Sequence, residues 1–226
     1  MPNFDIMKVN TPDITYRVAK VQADYDVKLE HSCEHFVGSI DIPDDDKWHI
    51  GLIVGGSGTG KSTIAKELFP DIYVNGYHYT HKSVIDDMPC DNVNQIEMMF
   101  YAVGFGSVPS WLKPYEVLSE GEKMRVDLAR AMLSSDRVCF DEFTSVIDRQ
   151  VARTACIAIK KAIMKNNMHF IAVSCHRDII EWLQPDWVFD TATMKTNFPS
   201  AHERKKNMLS KNVGEMNGSN LAVIII

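Results

Sequence analysis

Short, continuous runs of apolar residues recur along the chain, and small or polar residues follow them. Such runs lack the alternation of a half-exposed strand and are typical of strands buried on both faces of a parallel sheet. We predict strands of this kind at Ile50–Val54, Ile72–Val74, Val138–Phe140, His169–Ser174 and Trp187–Phe189. The pattern therefore favours a largely parallel sheet at the centre of the domain.

Stretches with apolar residues at helical spacing separate several of these strands. The first covers residues 62–69 and is stopped by Pro70, and further helices are predicted over 149–165 and 178–183. Strands that alternate with helices along the chain indicate an α/β fold. We therefore expect an α/β domain built on the parallel sheet.

The chain has 226 residues, of which 45% are hydrophobic, and this is enough for one domain with a substantial core. We predict that domain over residues 1–195 and a flexible C-terminal tail over 196–226. An antiparallel β lobe is expected across 14–50, and a reduced helical insertion across 79–117. The strand-like patterns in the lobe are Thr15–Val18, Asp26–Leu29 and Phe36–Ile42.

A glycine-rich segment joins the strand Ile50–Val54 to the helix over 62–69. Glycines let such a loop curl until its backbone N–H groups face an anion, and the helix N-terminus adds partial positive charge. Lys61 is placed to reach the β- and γ-phosphates of a nucleotide, and Ser62 to ligate Mg²⁺. The segment predicts a phosphate-binding P-loop of Gly55, Gly56, Ser57, Gly58, Thr59, Gly60, Lys61, Ser62 and Thr63.

Two carboxylates, Asp141 and Glu142, directly follow the predicted strand Val138–Phe140. In α/β sheets, ligands bind at the carboxyl ends of the strands, which is where these residues would lie. We expect Asp141 to hold Mg²⁺ and Glu142 to orient or deprotonate the attacking water. The structural alternative is that one or both acids merely cap the next segment.

Three further motifs follow in order. Leu118–Glu122 reads Leu-Ser-Glu-Gly-Glu and opens a helix, Ser145–Asp148 follows the two carboxylates, and His176 comes just after a predicted strand. Ser119 lies 22 positions before Asp141, and His176 lies 34 positions after Glu142. Together with the P-loop, these motifs resemble the ATP-binding cassette (ABC) type of P-loop ATPase across roughly residues 36–190.

The resemblance implies a nucleotide sandwich, in which two heads meet face to face around ATP. Ser119 and Gly121 of one head would contact the nucleotide held by the P-loop of the other, and Asp148 would lie at the same nucleotide. The simpler interpretation of Ser119 stays open, because Ser119 and Glu122 also form the pattern of a helix capping box. The two interpretations are compatible, since the helix must begin there in either case.

The resemblance also gives His176 a role, as a catalytic residue that touches the γ-phosphate together with Lys61 and Glu142. The simpler alternative is a histidine at a strand end that bonds to the backbone. Implied ligands are ATP and Mg²⁺, and the implied reaction is the hydrolysis of ATP to ADP and phosphate.

The chain departs from the ABC pattern in several places. Glu120 replaces the first glycine of the signature motif (residues 118–122) and adds a carboxylate near the expected phosphate. No glutamine loop stands out, and Gln95 and the segment 84–89 are the alternatives. The aromatic residue that would stack on the base is equally open among Tyr16, Tyr25 and Phe36.

A further departure concerns the distance between motifs. Ser119 follows Lys61 by only 58 positions, which leaves room for a small helical insertion. ABC transporter subunits use a much longer stretch here to dock on their membrane domains. This gap counts against a transporter role, so we expect a membrane partner least.

The charge and the cysteine content limit which binding partners and which cellular compartment are expected. A formal net charge of −6 gives no overall attraction to nucleic acid, although basic residues between Lys195 and Lys211 keep a nucleic-acid contact open. The 5 cysteines form no C-x-x-C pair, and the N-terminus lacks the features of a signal peptide. We therefore expect a reduced, cytoplasmic protein.

The sequence thus predicts a soluble, stand-alone ABC-type ATPase, similar to small heads among uncharacterised phage and bacterial ATPases. ATP would drive the formation of a homodimer, or of a complex with a protein partner, and the cycle would act on nucleic acid or protein. Two alternatives remain. One is the ATP-binding subunit of a membrane transporter, and the other is a nucleotide-dependent binding module with negligible turnover.

Overall fold

The computed structural model describes residues 2–10, 13–28 and 32–199. Within these ranges the strands are β1 (Asn3–Asn10), β2 (Ser32–Ser39), β3 (Ile50–Val54), β4 (Tyr73–Val74), β5 (Arg137–Phe140), β6 (His169–Ser174), β7 (Trp187–Asp190) and β8 (Lys195–Asn197). The α-helices are α1 (Tyr16–Tyr25), α2 (Lys61–Leu68), α3 (Val93–Ala102), α4 (Val108–Trp111), α5 (Glu120–Ser134), α6 (Arg149–Lys165) and α7 (Ile179–Leu183). Short 3-10 helices cover Asp45–Lys47, Val84–Asp87 and Tyr115–Val117.

The central sheet has six strands in the order β4-β5-β6-β3-β7-β8. All neighbouring strands run parallel except β8, which pairs antiparallel with β7. Every residue of β3 and β7 is buried, as the continuous apolar runs predict. The α/β fold with a mostly parallel sheet is therefore confirmed.

Two hydrophobic clusters cover the two faces of this sheet. One packs α3, α5 and α6 against it, and its large buried residues include Phe100 and Phe170. The other packs α2 and the β1–β2 pair against it, with Trp187 and Phe189 at its centre. Because both faces are covered, the strand ends that carry the candidate motifs are held on a rigid core.

The small antiparallel sheet is also present, but its strands differ from the predicted ones. It consists of β1 and β2, with Phe4 paired with Gly38 and Val9 with Cys33. The predicted strand Thr15–Val18 is wrong, because Thr15 caps the N-terminus of α1 and accepts a hydrogen bond from the Val18 amide at 3.3 Å. The predicted strand 26–29 is wrong over 26–28, where Asp26 ends α1 in a left-handed conformation, and Leu29 lies outside the described residues.

The predicted domain boundaries meet the structure in two places. The segment 79–117 contains α3, α4 and two of the 3-10 helices. The predicted start of the tail at 196 falls inside β8, because Lys195 pairs with Asp190 and Asn197 with Val188. The sheet therefore extends two residues further than the predicted domain, and the rest of the tail from 200 onward lies outside the described residues.

One negative observation bears on membrane association. Among the helices of the described ranges, none combines the length and the apolar character that a membrane crossing needs.

Candidate active site

The glycine-rich segment curls between β3 and α2. Gly58 and Gly60 have φ angles of 78° and 82°, a region that L side chains rarely adopt. A methyl group added to Gly58 would meet nothing within 4 Å, whereas at Gly60 it would lie 2.6 Å from the Phe36 ring. The loop is therefore closed by Phe36 on one side and open at Gly58, where an anion can approach its backbone.

Lys61 is the first residue of α2, and it is buried despite its charge. Its ammonium group donates a hydrogen bond to the Gly56 carbonyl at 2.6 Å and so lies across the loop. A buried ammonium group requires polar or anionic partners. Its place at a helix N-terminus, beside the open part of the loop, suits a phosphate group.

The two carboxylates leave β5 on the same edge of the sheet, and they differ in environment. Asp141 is buried, with 5% of its surface exposed, and its Oδ1 accepts a hydrogen bond from the Glu142 amide at 2.9 Å. Glu142 is exposed and has a left-handed φ of 51°. Asp141 is thus fixed by the protein, while the Glu142 carboxylate faces solvent, where a water molecule can reach it.

Tyr73 connects Asp141 with the P-loop helix, a contact that sequence reasoning missed. Its phenol donates a hydrogen bond to Asp141 Oδ2. Burial and the Asp141 carboxylate raise the pKa of Tyr73 well above its ordinary value, so the phenol keeps its proton and acts as a donor. The Ser62 hydroxyl lies beside the same phenol and partly offsets this rise of the Tyr73 pKa. Ser62 and Asp141, which the sequence predicted as the two Mg²⁺ residues, therefore meet around one phenol.

This donor set can be tested against the chemistry of Mg²⁺. Mg²⁺ takes oxygen ligands and binds through one or two protein groups together with phosphates and water. Ser62 offers a hydroxyl and Asp141 a carboxylate, so the residues present fit. The described ranges contain no cluster of three or more histidine, cysteine, aspartate or glutamate residues that would hold a metal by itself.

A cavity of about 160 Å³ opens beside these carboxylates. Asn75, which follows β4 directly, lines it together with Glu120 and Lys123 of α5. Asn75 is a second residue that sequence reasoning missed. The available signal was its position, because a polar residue at the carboxyl end of a strand beside β5 must lie near Asp141.

The signature motif begins α5, as predicted, and Ser119 forms a complete capping box with Glu122. The Glu122 carboxylate accepts hydrogen bonds from the Ser119 amide at 3.0 Å and hydroxyl at 2.8 Å. Hydrogen bonds from Ser110 and Ser119 hold the pKa of Glu122 below its usual range. Ser119 is nevertheless exposed, so the cap and a contact with a second molecule are structurally compatible.

Glu120, which replaces the first glycine of the signature motif, is paired with a positive charge. The Glu120 carboxylate forms an ion pair with Lys123 at 2.8 Å on the same helix face. Gly121 packs closely, because a methyl group added to it would lie 3.4 Å from the side chains of Arg125 and Ile147. Gly121 thus lies close to Ile147 in the D-loop (residues 145–148) of its own chain.

The D-loop and His176 lie on the same edge of the sheet. Asp148 is exposed and caps α6 by accepting a hydrogen bond from the Gln150 amide at 2.8 Å. His176 follows β6, whose Ser174 pairs with Val54 just before the P-loop. Its backbone N–H donates to the Ser174 hydroxyl at 3.2 Å, which leaves the half-buried imidazole at the end of the strand beside the P-loop.

Arg149 links the turn that follows Glu142 to the segment that follows His176, and sequence reasoning missed this residue as well. It donates to the Asp178 carboxylate through Nε at 2.9 Å and through Nη2, and to the Thr144 carbonyl through Nη1 at 3.3 Å. Thr144 has a left-handed φ of 63°. Arg149 therefore holds a strained turn after Glu142 to the segment after His176.

Other candidates lie elsewhere. Gln95, the candidate for the glutamine loop, is on α3. Its side-chain oxygen accepts a hydrogen bond from the Cys90 thiol at 3.2 Å, and it does not line the cavity beside Asp141.

Three aromatic residues are candidates for stacking on the base. Tyr16 and Tyr25 lie on α1 with 82% and 75% of their surface exposed. Phe36 is buried against Gly60. Of the three aromatic residues, Phe36 alone contacts the P-loop, and its ring packs beneath the loop.

Sequence similarity to known proteins is low. No family model matches the sequence. The mitochondrial iron-sulfur clusters transporter ABCB7 of Oryzias latipes is 28% identical over 164 aligned residues, which cover 53% of this chain and 22% of that protein. The match thus spans about a fifth of the length of the curated relative.

Two solved structures share the fold. The ATP-binding cassette MJ0796, in a dimeric post-hydrolysis state bound to ADP and Pi, superposes with a TM-score of 0.56 and 12% identity, covering 73% of this chain and 89% of that one. A second dimeric structure of MJ0796, a bacterial ABC transporter cassette, gives a TM-score of 0.55 and 12% identity, with 70% and 87% coverage. The chain therefore has the fold of an ATP-binding cassette ATPase head.

Proposed function

We propose that this chain binds ATP with Mg²⁺ and hydrolyses it to ADP and phosphate. The observation that carries the proposal is the junction of Ser62, Tyr73 and Asp141, which brings the P-loop helix and the end of β5 to one point. Glu142 stands next to that point with an exposed carboxylate. Phosphate-binding loop, metal-type oxygen donors and a free carboxylate thus share one edge of the sheet.

The chain's own groups have defined tasks in this reaction. Backbone N–H groups of residues 55–60 and the ammonium group of Lys61 hold the β- and γ-phosphates. Mg²⁺, held by Ser62 and Asp141, supplies charge neutralisation when it is bound. Glu142 accepts the proton of the attacking water, whose oxygen bonds to the γ-phosphorus while the bond to the bridging oxygen of ADP breaks.

We further infer that catalysis occurs in a dimer of heads. Ser119 and Gly121 would contact the γ-phosphate held by a second copy, and Asp148 and His176 would lie at the same interface. The exposure of Ser119 and Asp148 supports this arrangement. Glu120 is compatible with it because Lys123 neutralises its carboxylate.

Phosphate release tests the enzymatic claim. Wild type should release phosphate from ATP in the presence of Mg²⁺, and Glu142→Gln should lower the rate roughly 100-fold or more, as the loss of a general base does. Glu67→Gln, the same substitution at an exposed site on α2, is the matched control and should leave the rate unchanged. ATP binding without phosphate release by wild type would instead identify a nucleotide-dependent binding module.

A second candidate function is the ATP-binding subunit of a membrane transporter. The observation in its favour is that the curated relative is a transporter and the structural relative a transporter cassette. The short gap between Lys61 and Ser119 remains the argument against it. Co-purification of the full chain from detergent-solubilised membranes with a membrane subunit would favour this candidate. ATPase stimulation by DNA or RNA would favour a nucleic-acid partner.

A further inference from the structure

Tyr73 occupies the junction between the two residues expected to hold Mg²⁺. It lies on β4, whose Val74 pairs with Phe140 directly before Asp141. From this neighbouring strand its phenol donates a hydrogen bond to the Asp141 carboxylate, and the Ser62 hydroxyl lies beside it. The ring packs among the apolar residues around α2, so the position of the hydroxyl is fixed by the core.

The direction of the Tyr73–Asp141 hydrogen bond has a consequence for Ser62. A phenol has one proton, and Tyr73 donates it to Asp141. Towards Ser62 the phenol can therefore only accept, so any hydrogen bond between the two hydroxyls uses the Ser62 proton. The lone pairs of the Ser62 oxygen are then free, and a serine that ligates a cation needs this polarity.

We propose that Tyr73 is a positioning residue for Mg²⁺, which orients the Ser62 hydroxyl and the Asp141 carboxylate before nucleotide binds. The inference rests on the proposed function, because it concerns the metal of that same site. It adds Tyr73 to the residues of the site, in a role that depends on its phenol oxygen. Packing alone requires only the ring, which phenylalanine would supply equally well.

The variant Tyr73→Phe separates the two roles, and ATP binding measured by titration calorimetry is the readout. The measurement is made in the Glu142→Gln background, so that turnover does not interfere, with Mg²⁺ and again with EDTA. We expect the gain in ATP affinity caused by Mg²⁺ to fall roughly ten- to a hundredfold, the range for one lost hydrogen bond to a charged group. The affinity in EDTA should stay within about twofold of the parent.

Two further variants complete the design. Tyr77→Phe removes the hydroxyl of another half-buried tyrosine, one whose ring lies against Arg130, and it should leave the Mg²⁺-dependent gain unchanged. Tyr73→Leu also lacks the hydroxyl and should reproduce the loss seen with Tyr73→Phe. Thermal melting of each variant confirms that folded proteins are compared.

The outcomes distinguish this inference from the function on which it rests. An unchanged Mg²⁺-dependent gain in Tyr73→Phe, with the parent binding normally, overturns the inference and leaves the proposed function intact. An equal loss of affinity with Mg²⁺ and with EDTA also overturns it, because the loop rather than the metal site would be affected. Absence of Mg²⁺-dependent ATP binding in the parent overturns both.

Discussion

The hydroxyl oxygens of Thr59 and Thr191 lie 2.6 Å apart and join the P-loop to the end of β7. Thr59 also lies within hydrogen-bond distance of the Gly56 carbonyl, at 2.9 Å. Thr191 packs so closely on the loop that a methyl group added to Gly55 would lie 2.0 Å from its hydroxyl oxygen. The loop is thus held against the end of β7, which pairs with β3 on the side opposite to β6.

Removal of this brace should weaken nucleotide binding. We expect Thr191→Val, which keeps the shape of the side chain, to lower ATP affinity roughly two- to tenfold through the loss of one hydrogen bond. Thr193→Val is the matched control, because the Thr193 hydroxyl bonds to the Asp190 carbonyl at 3.5 Å in the same turn. Titration calorimetry measures both variants, and equal affinities for them would refute the bracing role.

The two roles of Ser119 can be separated by substitution. Ser119→Ala removes the helix cap and should cost about 1 kcal/mol of unfolding free energy. Ser119→Asn restores a good cap and keeps a donor for the Glu122 carboxylate, but its bulkier side chain fills the space where the γ-phosphate of the opposing head should bind. We therefore expect Ser119→Asn to be about as stable as wild type in urea denaturation yet to lose ATP-dependent dimerisation. A Ser119→Asn protein that dimerises normally would leave capping as the only role.

Gly58 and Gly60 should respond differently to alanine. Both have left-handed φ angles, so either substitution should cost about 1–2 kcal/mol in backbone strain. At Gly60 the methyl group would also collide with the Phe36 ring. We expect Gly60→Ala to be the more destabilising of the two by thermal melting, and equal melting temperatures would contradict the packing of Phe36 beneath the loop.

Asp127 predicts a pH dependence of stability. Its carboxylate is buried on α5 and accepts hydrogen bonds from Tyr79 at 2.7 Å and Tyr115 at 2.8 Å. Burial raises the pKa of Asp127 above its ordinary value, although the two phenols partly offset this. The folded pKa therefore exceeds the unfolded one, and the stability that this carboxyl contributes is present at low pH and lost as pH rises through the folded pKa.

The variant Asp127→Asn cannot titrate at this position. We expect it to be destabilised relative to wild type more at about pH 4 than at about pH 8. Urea denaturation at both pH values measures the difference, with the exposed Asp136→Asn as the matched control. A difference that grows with pH would show that the Asp127 pKa is lowered in the folded protein.

The five parallel strands of the central sheet could be predicted from the sequence to within one residue at each end, whereas β8 at its edge was not predicted. The helix over 149–165 and the strand His169–Ser174 have the predicted bounds. The helix buries one face and so shows a clear helical periodicity, and the strand is buried almost throughout and so appears as a continuous apolar run. The helix start at Ser119 also followed from local chemistry, since a capping box involves residues only three positions apart.

The errors and omissions have a common physical origin. Residues of α1 bury nothing, so no burial pattern opposed the β propensity of Thr15 and Val18. Tyr73 and Asp141 lie 68 positions apart, and their contact depends on the pairing of β4 with β5. Arg149 and Asp178 likewise meet through tertiary packing of α6. Local patterns carry no information on such contacts.

The central claim is that two heads form a dimer around ATP. The solution mass of Glu142→Gln, measured by light scattering with and without ATP and Mg²⁺, tests this claim most directly. Binding is kept while hydrolysis is blocked, so we predict a monomer that becomes a dimer when Mg-ATP is added. The double variant Lys61→Ala/Glu142→Gln, which lacks the phosphate-binding ammonium group, should stay monomeric. A Glu142→Gln protein that binds Mg-ATP yet remains a monomer would contradict the sandwich of two identical heads.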